Sequence, residues 1–232
     1  AAAGTVIYNV PTAGAAVSSL TGMTNAQWRS TMHATTAGQF LVCVNGADGV
    51  RTYNGSAWAN QTITNVTAAN LTSVISHKHR LWFVEKDTLS LWYLPTYAIS
   101  GAAVELDLGA ICQRGGNLVA IGTWTHDGGS GPDDYFAAVT SNGEVVVYAG
   151  TDPASGSTWG VVGVFPIDKP LGRNCLTKVG GDLAILTESG VVQLSAVMQA
   201  ADQRDMISDP IRDDFALAAA DKRTAYGWQV CF

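Results

Sequence analysis

The sequence is poor in charge and has no surplus of basic residues. Asp, Glu, Lys and Arg together make up 14% of its 232 residues, well below the roughly 25% of ordinary soluble domains. The formal net charge of −6 argues against a general nucleic-acid binder, because such a protein needs a positive surface to displace counterions from phosphate. The low charge favours a surface that partner proteins cover or, equally, a simple β-rich globule.

Long apolar runs and the common catalytic motifs are absent as well. No run approaches the roughly 20 residues of a membrane span, and the chain does not start with a signal-peptide layout. There is no P-loop, no GxGxxG and no GxSxG, so nucleotide binding and serine-hydrolase chemistry lack their usual sequence support. The chain begins with AAAGTVIYNV and stops at GWQVCF, where a strand is under way, so we expect it to be a segment of a longer polypeptide.

Cysteine pairs with metal-binding spacing are also missing. The four cysteines are far apart, and no CxxC occurs: Cys43, Cys112, Cys175 and Cys231. This spacing disfavours a zinc site. We expect free thiols and assembly in a reducing place, with disulfides between distant strands as the alternative.

What the sequence does contain is a recurrent hairpin. Residues 134–150 read DYFAAVTSNGEVVVYAG, two β-prone runs joined by Asn142 and Gly143, which tolerate a positive φ. The same plan recurs at residues 39–55, 80–95 and 182–195. Their centres are roughly 40–55 residues apart, close to the repeat of propeller blades. The sequence therefore predicts an all-β fold, a β-propeller-like array of antiparallel hairpin blades with four visible, and the alternative is a β-sandwich.

The ends of the chain differ from this array. Residues 4–10 predict a strand and residues 11–22 a loop, while residues 25–32 predict one or two helical turns with Thr24 as cap and with Trp28 and Met32 on one face. Residues 196–204 and a segment that starts at Ser208 as capping residue predict short helices, the second with Ile211, Phe215 and Ala218 on one face. Residues 226–232 predict the start of a fifth blade. The predicted division is therefore an N-terminal strand and connector over 1–35, blades over 36–195, and a helical insertion with a further strand over 196–232.

Candidate catalytic residues are scattered. A propeller glycosidase would place two carboxylates across a central pocket, and the candidates are Asp107, Asp127, Asp134 and Glu144. Glu144 follows a hairpin turn and is expected to point to solvent. The candidate bases are His33, His77, His79 and His126. Because no pair or triad of these residues is marked by its spacing, we predict no catalytic residue and no enzymatic activity.

Binding sites for ions and sugars have equally weak support. His77 and His79 would point the same way on a strand, which suits a metal, although a polar strand entrance is the simpler interpretation. Asp127, Asp133 and Asp134 lie among glycines as in calcium loops, but the EF-hand pattern is absent. The tryptophans could stack on sugars, yet Trp82, Trp92 and Trp124 lie inside predicted strands, which favours core packing. We predict no metal and no cofactor, and we attribute the sequons at Asn54, Asn65 and Asn70 to chance.

The hairpins also carry a family resemblance. HKHRLWFVEKDTLSLWYLP over residues 77–95 resembles the propeller-containing tail proteins of short-tailed bacteriophages, of the tail tubular protein B or nozzle type, and related tail-hub proteins. The likeness continues over residues 115–153 and 172–195, and residues 40–58 resemble an earlier hairpin of such proteins. Together these stretches extend from residue 40 to residue 195, a span of about two thirds of the chain, and their motifs are structural, not catalytic.

The resemblance implies a virion structural protein that is assembled in the bacterial cytoplasm. Six copies would form a ring on the tail axis, contact the adaptor or portal and the fibres, and conduct the genome during ejection without sequence-specific binding. An acidic chain suits such a conduit, because an acidic wall repels phosphate. Family members of the nozzle type are much longer than this chain. The alternatives are a receptor- or glycan-binding propeller on the phage exterior and, with less support, a propeller glycosidase.

Overall fold

The protein is described by a computed structural model over residues 1–10, 14–127, 132–199, 206–223 and 228–229. Strands account for 49% and helices for 11% of the chain, which confirms the predicted all-β class. The chain forms two compact units, one of residues 1–86 and 90–106 and the other of residues 87–89 and 107–232. The domain boundaries predicted at residues 35 and 195 stay predictions. None of the helices that the structure describes is long and apolar enough to span a membrane.

The N-terminal sheet of the first unit is small and antiparallel. Its strands in spatial order are β1 (Ala2–Ala3), β2 (Val6–Asn9) and β3 (Val17–Leu20). The predicted strand over residues 4–10 is confirmed. A loop was predicted over residues 11–22, and this prediction is wrong at β3, which pairs with β2 through Tyr8 and Ser18. Residues 11–13 of the predicted loop lie outside the described residues.

The second sheet shows where a helix prediction failed. Its strands in spatial order are β4 (Arg29–Thr35), β5 (Gly38–Val44), β6 (Arg51–Tyr53) and β7 (Trp58–Asn60). The helical turns predicted over residues 25–32 are wrong, because β4 pairs along its whole length with β5 and this ladder outweighs a local preference. Thr24 does not cap a helix but bonds to Asp48. Met32, expected to anchor the turn on the core, is 57% exposed.

The third sheet contains the hairpin predicted over residues 80–95. Four strands, in spatial order β13, β11, β10 and β9, form it, and a parallel pair of two-residue strands, β8 and β12, accompanies it. The bounds are β8 (Ile63–Thr64), β9 (Leu71–His77), β10 (Arg80–Glu85), β11 (Ser90–Tyr93), β12 (Gly101–Ala102) and β13 (Val104–Asp107). A 3-10 turn at Ala68–Asn70 precedes β9.

One detail of the third sheet corrects the sequence analysis. Lys78 and His79 are not strand residues but the two-residue turn between β9 and β10, with φ of 49° and 58°. Two successive positive φ values match the primed turns that fit the twist of a hairpin. His77 ends β9 and pairs with Arg80, so the prediction that His77 and His79 point the same way from one strand is wrong.

The fourth sheet confirms the hairpin over residues 134–150. Its strands in spatial order are β14 (Leu118–Asp127), β15 (Pro132–Thr140), β16 (Glu144–Gly150) and β17 (Trp159–Pro166). Val139 pairs with Val145 across the turn at residues 141–143. Pro166 is the last residue of β17, which is an end strand of this sheet, as proline usage predicts.

The C-terminal part combines a three-stranded sheet with two short helices, as predicted. The elements are β18 (Leu176–Val179), β19 (Asp182–Thr187), β20 (Gly190–Gln193), α1 (Leu194–Met198) and α2 (Arg212–Lys222), with a 3-10 turn at Asp209–Ile211 before α2. Helix α1 begins earlier than predicted, and residues 200–204 of that prediction lie outside the described residues. So do most residues of the strand predicted over 226–232, although Gln229 forms a parallel bridge with Asn174.

The predicted start and inward face of α2 need correction. Ser208 makes no side-chain cap, because its hydroxyl accepts the N–H of Val191 at 3.0 Å. Ile211 is 58% exposed, whereas Ala219 is 2% exposed and Phe215 packs against the core of the second unit. The buried stripe therefore runs through positions 215 and 219, four apart, and not through 211 and 218.

Each unit has its own core. In the first unit the core includes Val42, Val44, Phe83 and Leu94. In the second it includes Val139, Val145 and Ile185 with residues of both helices. The three tryptophans assigned to the core from the sequence are confirmed there, with 0%, 9% and 4% exposure for Trp82, Trp92 and Trp124.

Candidate functional site

The predicted carboxylate candidates are engaged in separate local structures. Asp107 is exposed and accepts the N–H of Gly109 at 2.8 Å. Asp134 accepts the hydroxyl of Thr125 at 2.7 Å. The N–H of Glu144 donates to the hydroxyl of Thr140 at 3.0 Å, and Thr140 lies six residues from Asp134 along β15, so Glu144 and Asp134 are ~20 Å apart. That exceeds the roughly 5–10 Å between the carboxylates of glycosidases. The side chains of Asp127 and Asp133 lie outside the described residues.

Glu144 is buried, and the expectation that it points to solvent is wrong. It is 4% exposed because the segment that precedes β14 returns over it. Its carboxylate accepts the N–H of Gln113 at 3.0 Å and the N–H of Arg114 at 2.8 Å. Arg114 in turn donates Nη1 to the carbonyls of Gly143 at 3.0 Å and Ile167 at 3.1 Å. This arrangement is a structural clasp that joins the β15–β16 turn to the end of β17.

The histidines do not form a catalytic arrangement. The Nδ1 of His33 lies 2.9 Å from the hydroxyl of Ser76, and its buried Nε2 has no hydrogen-bond partner among the described residues. Burial, and then the nearby charge of His79, lower the pKa of His33, so this ring is neutral at pH 7. A Ser–His pair needs an acid to orient the second ring nitrogen, and His33 has none there. His79 stacks on Tyr97 at 4.8 Å, and the side chain of His126 lies outside the described residues.

The cysteines that the structure describes are buried, and no disulfide joins any two of them: Cys43, Cys112 and Cys175. Cys43 and Cys112 are free thiols, as expected, and Cys231 lies outside the described residues. Burial raises the pKa of Cys43 to about 12. Burial, with the charges of Glu144 and Asp107, raises the pKa of Cys112 to about 11. Both thiols therefore stay protonated at neutral pH, and neither is an activated nucleophile. Within the described ranges, no three His, Cys, Asp or Glu residues are grouped to hold a metal ion.

The clearest concave feature is a cavity of about 440 Å³ in the first unit, which we call the aromatic cavity. Residues of the N-terminal sheet form one side and residues of the second sheet form the other. Four aromatic side chains line it, all half-buried: Tyr8, Trp28, Tyr53 and Trp58. This site was not predicted from the sequence.

Strand alternation explains how the second sheet forms the cavity floor. Val42 and Val44 of β5 are fully buried in the core of the unit. Leu41 and Cys43 alternate with them and point to the opposite face, where both line the cavity. Tyr53 pairs with Leu41 on one side and with Trp58 on the other. The row Leu41–Tyr53–Trp58 therefore crosses three strands on the cavity face.

Hydrogen bonds hold the aromatic rings of the floor in place. The rings of Tyr53 and Trp58 lie 5.1 Å apart at 38°. The indole N–H of Trp58 donates to the hydroxyl of Ser19 at 2.9 Å, which links the two sides of the cavity. The hydroxyl of Tyr53 donates to the carbonyl of Gly55 at 2.8 Å. The polar atoms of both residues are thus fixed, while the rings remain half-buried.

The carboxylate of Asp48 holds the segment before β4, which carries Trp28. Asp48 accepts the N–H of Thr24 at 2.9 Å, the hydroxyl of Thr24 at 2.8 Å and the amide of Asn45 at 2.6 Å. Burial of Asp48 acts to raise its pKa, but these hydrogen bonds outweigh it and hold the pKa below its usual value. The tether fixes residues 24–28 beside the cavity, where Ala26 and Trp28 line it.

The side chains that line the aromatic cavity carry no formal charge. Among the described residues that line it, none has an Asp, Glu, Lys, Arg or His side chain. Polar groups come from serine hydroxyls and the amide of Asn9. Such a mixture of aromatic surface and a few polar groups is typical of small-molecule sites.

The sequence indicates one side of this cavity, the free face of the second sheet, but not the side that the N-terminal sheet forms. The alternation of β4 and β5 indicates one free face, yet only the N-terminal sheet turns that face into a concave site.

No protein-family model matches this chain, and no curated protein matches it significantly in sequence.

Proposed function

We propose that this chain is a structural subunit of a bacteriophage tail, whose sheets are blades of a β-propeller and whose copies form a ring on the tail axis. The observation that carries the proposal is the recurrence of one architecture. After the N-terminal sheet, three four-stranded sheets and the C-terminal three-stranded sheet follow one another along the chain, each built around an antiparallel hairpin. Repetition of such sheets is the construction principle of propellers.

The inner strands of these sheets support a stacked arrangement. Phe83 and Val84 of β10 are fully buried, and so are Ala137 and Ala138 of β15. Adjacent residues of a strand point to opposite faces, so both faces of these strands are covered. A single blade cannot cover both of its own faces, and stacking against its neighbours provides that cover.

The surface of the second unit supports association between copies. Val161 and Val162 on β17 are 44% and 46% exposed, and Leu217 on α2 is 70% exposed. Strand β17 reads WGVVGVFP and has no charged residue. Monomeric proteins protect the end strands of sheets with charges, bulges or covering segments. An uncharged, apolar end strand therefore suits a subunit that meets another copy.

The role proposed for the ring is passive. The subunit would contact the adaptor or portal and the fibres and let the genome pass through the ring. Its net charge of −6 suits a wall that DNA must not adhere to, because like charges repel. The candidate carboxylates and histidines whose contacts are given above take part in local structural contacts, and the proposal assigns them no turnover.

Labelling of phage particles tests this function. Antibodies against this chain, applied to purified particles of the phage that carries the gene, should place gold label on the tail axis. Mass spectrometry should find the protein in those particles. Absence from the particles would overturn the proposal. Label confined to the outer tips would instead favour the receptor- or glycan-binding alternative.

The contact between copies can be tested separately. Val162→Lys places a charge on β17 and should reduce assembly of the full-length protein, measured by native mass spectrometry. Val10→Lys is the matched control, because Val10 is also exposed, at 52%, but lies outside β17. Equal assembly of the two variants would contradict a role for β17.

A further inference from the structure

We propose that the aromatic cavity of the first unit binds an uncharged saccharide. The site belongs to that unit alone, and the proposal does not depend on the tail assembly proposed above. Three features carry it, namely the size of the cavity, the ring faces that it presents, and the character of its polar groups.

The cavity has the size of a ligand site. Its volume of about 440 Å³ lies within the roughly 300–1,000 Å³ of small-molecule pockets. It is open to solvent on one side, since Asn9 and Ser30 at its border are exposed. A one- or two-ring sugar fits this space and can enter without a change of fold.

The aromatic faces match the apolar side of a sugar ring. A pyranose presents C–H groups on its faces, and C–H groups pack favourably on the electron-rich face of Trp or Tyr. Trp28, Tyr53 and Trp58 line the cavity with half-buried rings. Trp58 and Tyr53 are held by bonds to Ser19 and to the Gly55 carbonyl. Such pre-organisation lowers the entropic cost of binding.

The polar groups match the hydroxyl rim of a sugar. Asn9 and Ser30 at the border can donate and accept hydrogen bonds. No acidic or basic side chain is found among the described lining residues, and the N-terminal ammonium of Ala1 already donates to the carbonyl of Tyr8 at 3.1 Å. A phosphate, a nucleic acid or an acidic sugar would lose hydration there without gaining a partner side chain of opposite charge. The lining therefore favours a neutral polyhydroxylated ring over an anion.

Titration with defined sugars tests the site. The probes are cellobiose, lactose and N,N′-diacetylchitobiose as neutral disaccharides, N-acetylneuraminic acid as a charged sugar, and indole and thymine as flat rings that are not sugars. Binding is measured by tryptophan fluorescence and by saturation-transfer NMR on the full chain. We expect at least one neutral disaccharide to saturate the signal, with a dissociation constant on the order of millimolar, and the charged sugar to bind more weakly.

Variants locate the binding. Trp28→Ala should weaken it about tenfold, because it removes one stacking surface. Trp228→Phe is the matched control, since Trp228 lies in the second unit and packs on Phe215, and its affinity should be unchanged. Tyr53→Phe keeps the ring but removes its bond to the Gly55 carbonyl, so it should weaken binding less than Trp28→Ala does. A thermal melt identifies any variant that fails to fold.

Several results would overturn the proposal. Saturation by indole or thymine without saturation by any sugar would show a site for other flat rings. Equal affinity for the acidic and the neutral sugars would contradict the role of the uncharged lining. Sugar binding that is lost in Trp228→Phe but kept in Trp28→Ala would place the site elsewhere, and no saturable binding of any probe would end the idea.

Discussion

The second and the fourth sheets share a strand order but differ in what covers them. We call β4–β7 the open sheet and β14–β17 the covered sheet. In the covered sheet Ala137, Ala138 and Val145 to Val147 have no exposed surface, so both faces are packed. In the open sheet Val42 and Val44 are buried, while Leu41 and Tyr53 on the opposite face are only half-buried and line a cavity. One architecture thus serves as a packed core in one region and as a binding surface in the other.

The residue pattern of each sheet accounts for this difference. Strand β16 begins EVVVYAG, a continuous apolar run after Glu144, as expected for a strand buried on both faces. Strand β4 reads RSTMHAT, and along it Ser30, Met32 and Ala34 are exposed while the residues between them are half-buried or buried. Successive side chains of a strand point to opposite faces, so this pattern leaves one face of β4 open. A continuous buried run therefore belongs to the sheet that is packed on both faces, and alternating exposure belongs to the sheet that presents a cavity.

The largest expected effect comes from removing a large side chain from the covered sheet. Phe136 is fully buried and packs edge-on against Trp159 at 6.0 Å. Phe136→Ala should lower the free energy of unfolding by about 3–5 kcal/mol, measured by chemical denaturation. Met32→Ala on the exposed face of the open sheet should change it by less than about 0.5 kcal/mol. Similar effects of the two changes would remove the distinction between the sheets.

The turns of the two sheets offer a narrower comparison. Gly143 in the covered sheet has φ +83°, and a Cβ there would lie 2.3 Å from the carbonyl oxygen of Ile167. Gly55 in the open sheet has φ +96° with nothing within 4 Å. Gly55→Ala should cost about 1 kcal/mol from the backbone alone, and Gly143→Ala at least about 2 kcal/mol because the backbone must also move. Thermal denaturation measures the loss of stability in both variants. Equal losses would mean that the backbone at Ile167 moves away from the added Cβ with little loss of stability.

Replacing the buried carboxylate of Glu144 in the covered sheet should lower the free energy of unfolding by a smaller amount. Glu144→Gln keeps the shape but turns one acceptor into an N–H that faces the N–H groups of Gln113 and Arg114. We expect a loss of about 1–2 kcal/mol in the free energy of unfolding. Glu105→Gln is the control, because Glu105 is exposed and accepts the hydroxyl of Ser90 at 2.6 Å. A neutral result for Glu144→Gln would show that the clasp does not depend on charge.

The smallest expected effect is the contribution of Asp48, beside the open sheet, to the pH dependence of the free energy of unfolding. The folded pKa of Asp48 is depressed, so its stabilisation is present above the unfolded pKa and is lost as the pH falls through the folded pKa. Asp48→Asn should cost about 1 kcal/mol at pH 7 and nothing in strong acid. The free energy of unfolding of both forms against pH checks this. A constant difference between them across the acid range would contradict the tether.

The sequence predicted the hairpins well because their signals are local. Asn142 and Gly143 mark a turn by their backbone preferences, and the valines beside them mark strands. Strand β4 was missed because Thr24, Trp28 and Met32 imitate a capped helix, whereas pairing with β5 decides the structure. Glu144 was placed in solvent because nothing near it in sequence announces that residues 113–114 return over it. The aromatic cavity was missed for the same reason, since Trp28 and Trp58 form it only with residues of the N-terminal sheet.

The clasp at Arg114 has a consequence for proteolysis. Arg114 is followed by two glycines, and an exposed Arg–Gly bond in such a segment is ordinarily an easy site for trypsin. Here the N–H of Arg114 is bound by Glu144, its carbonyl accepts the amide of Asn142 at 2.8 Å, and its guanidinium holds two more carbonyls. A protease must detach all of these groups before the side chain can enter its specificity pocket, so this bond should survive digestion until the fourth sheet itself opens.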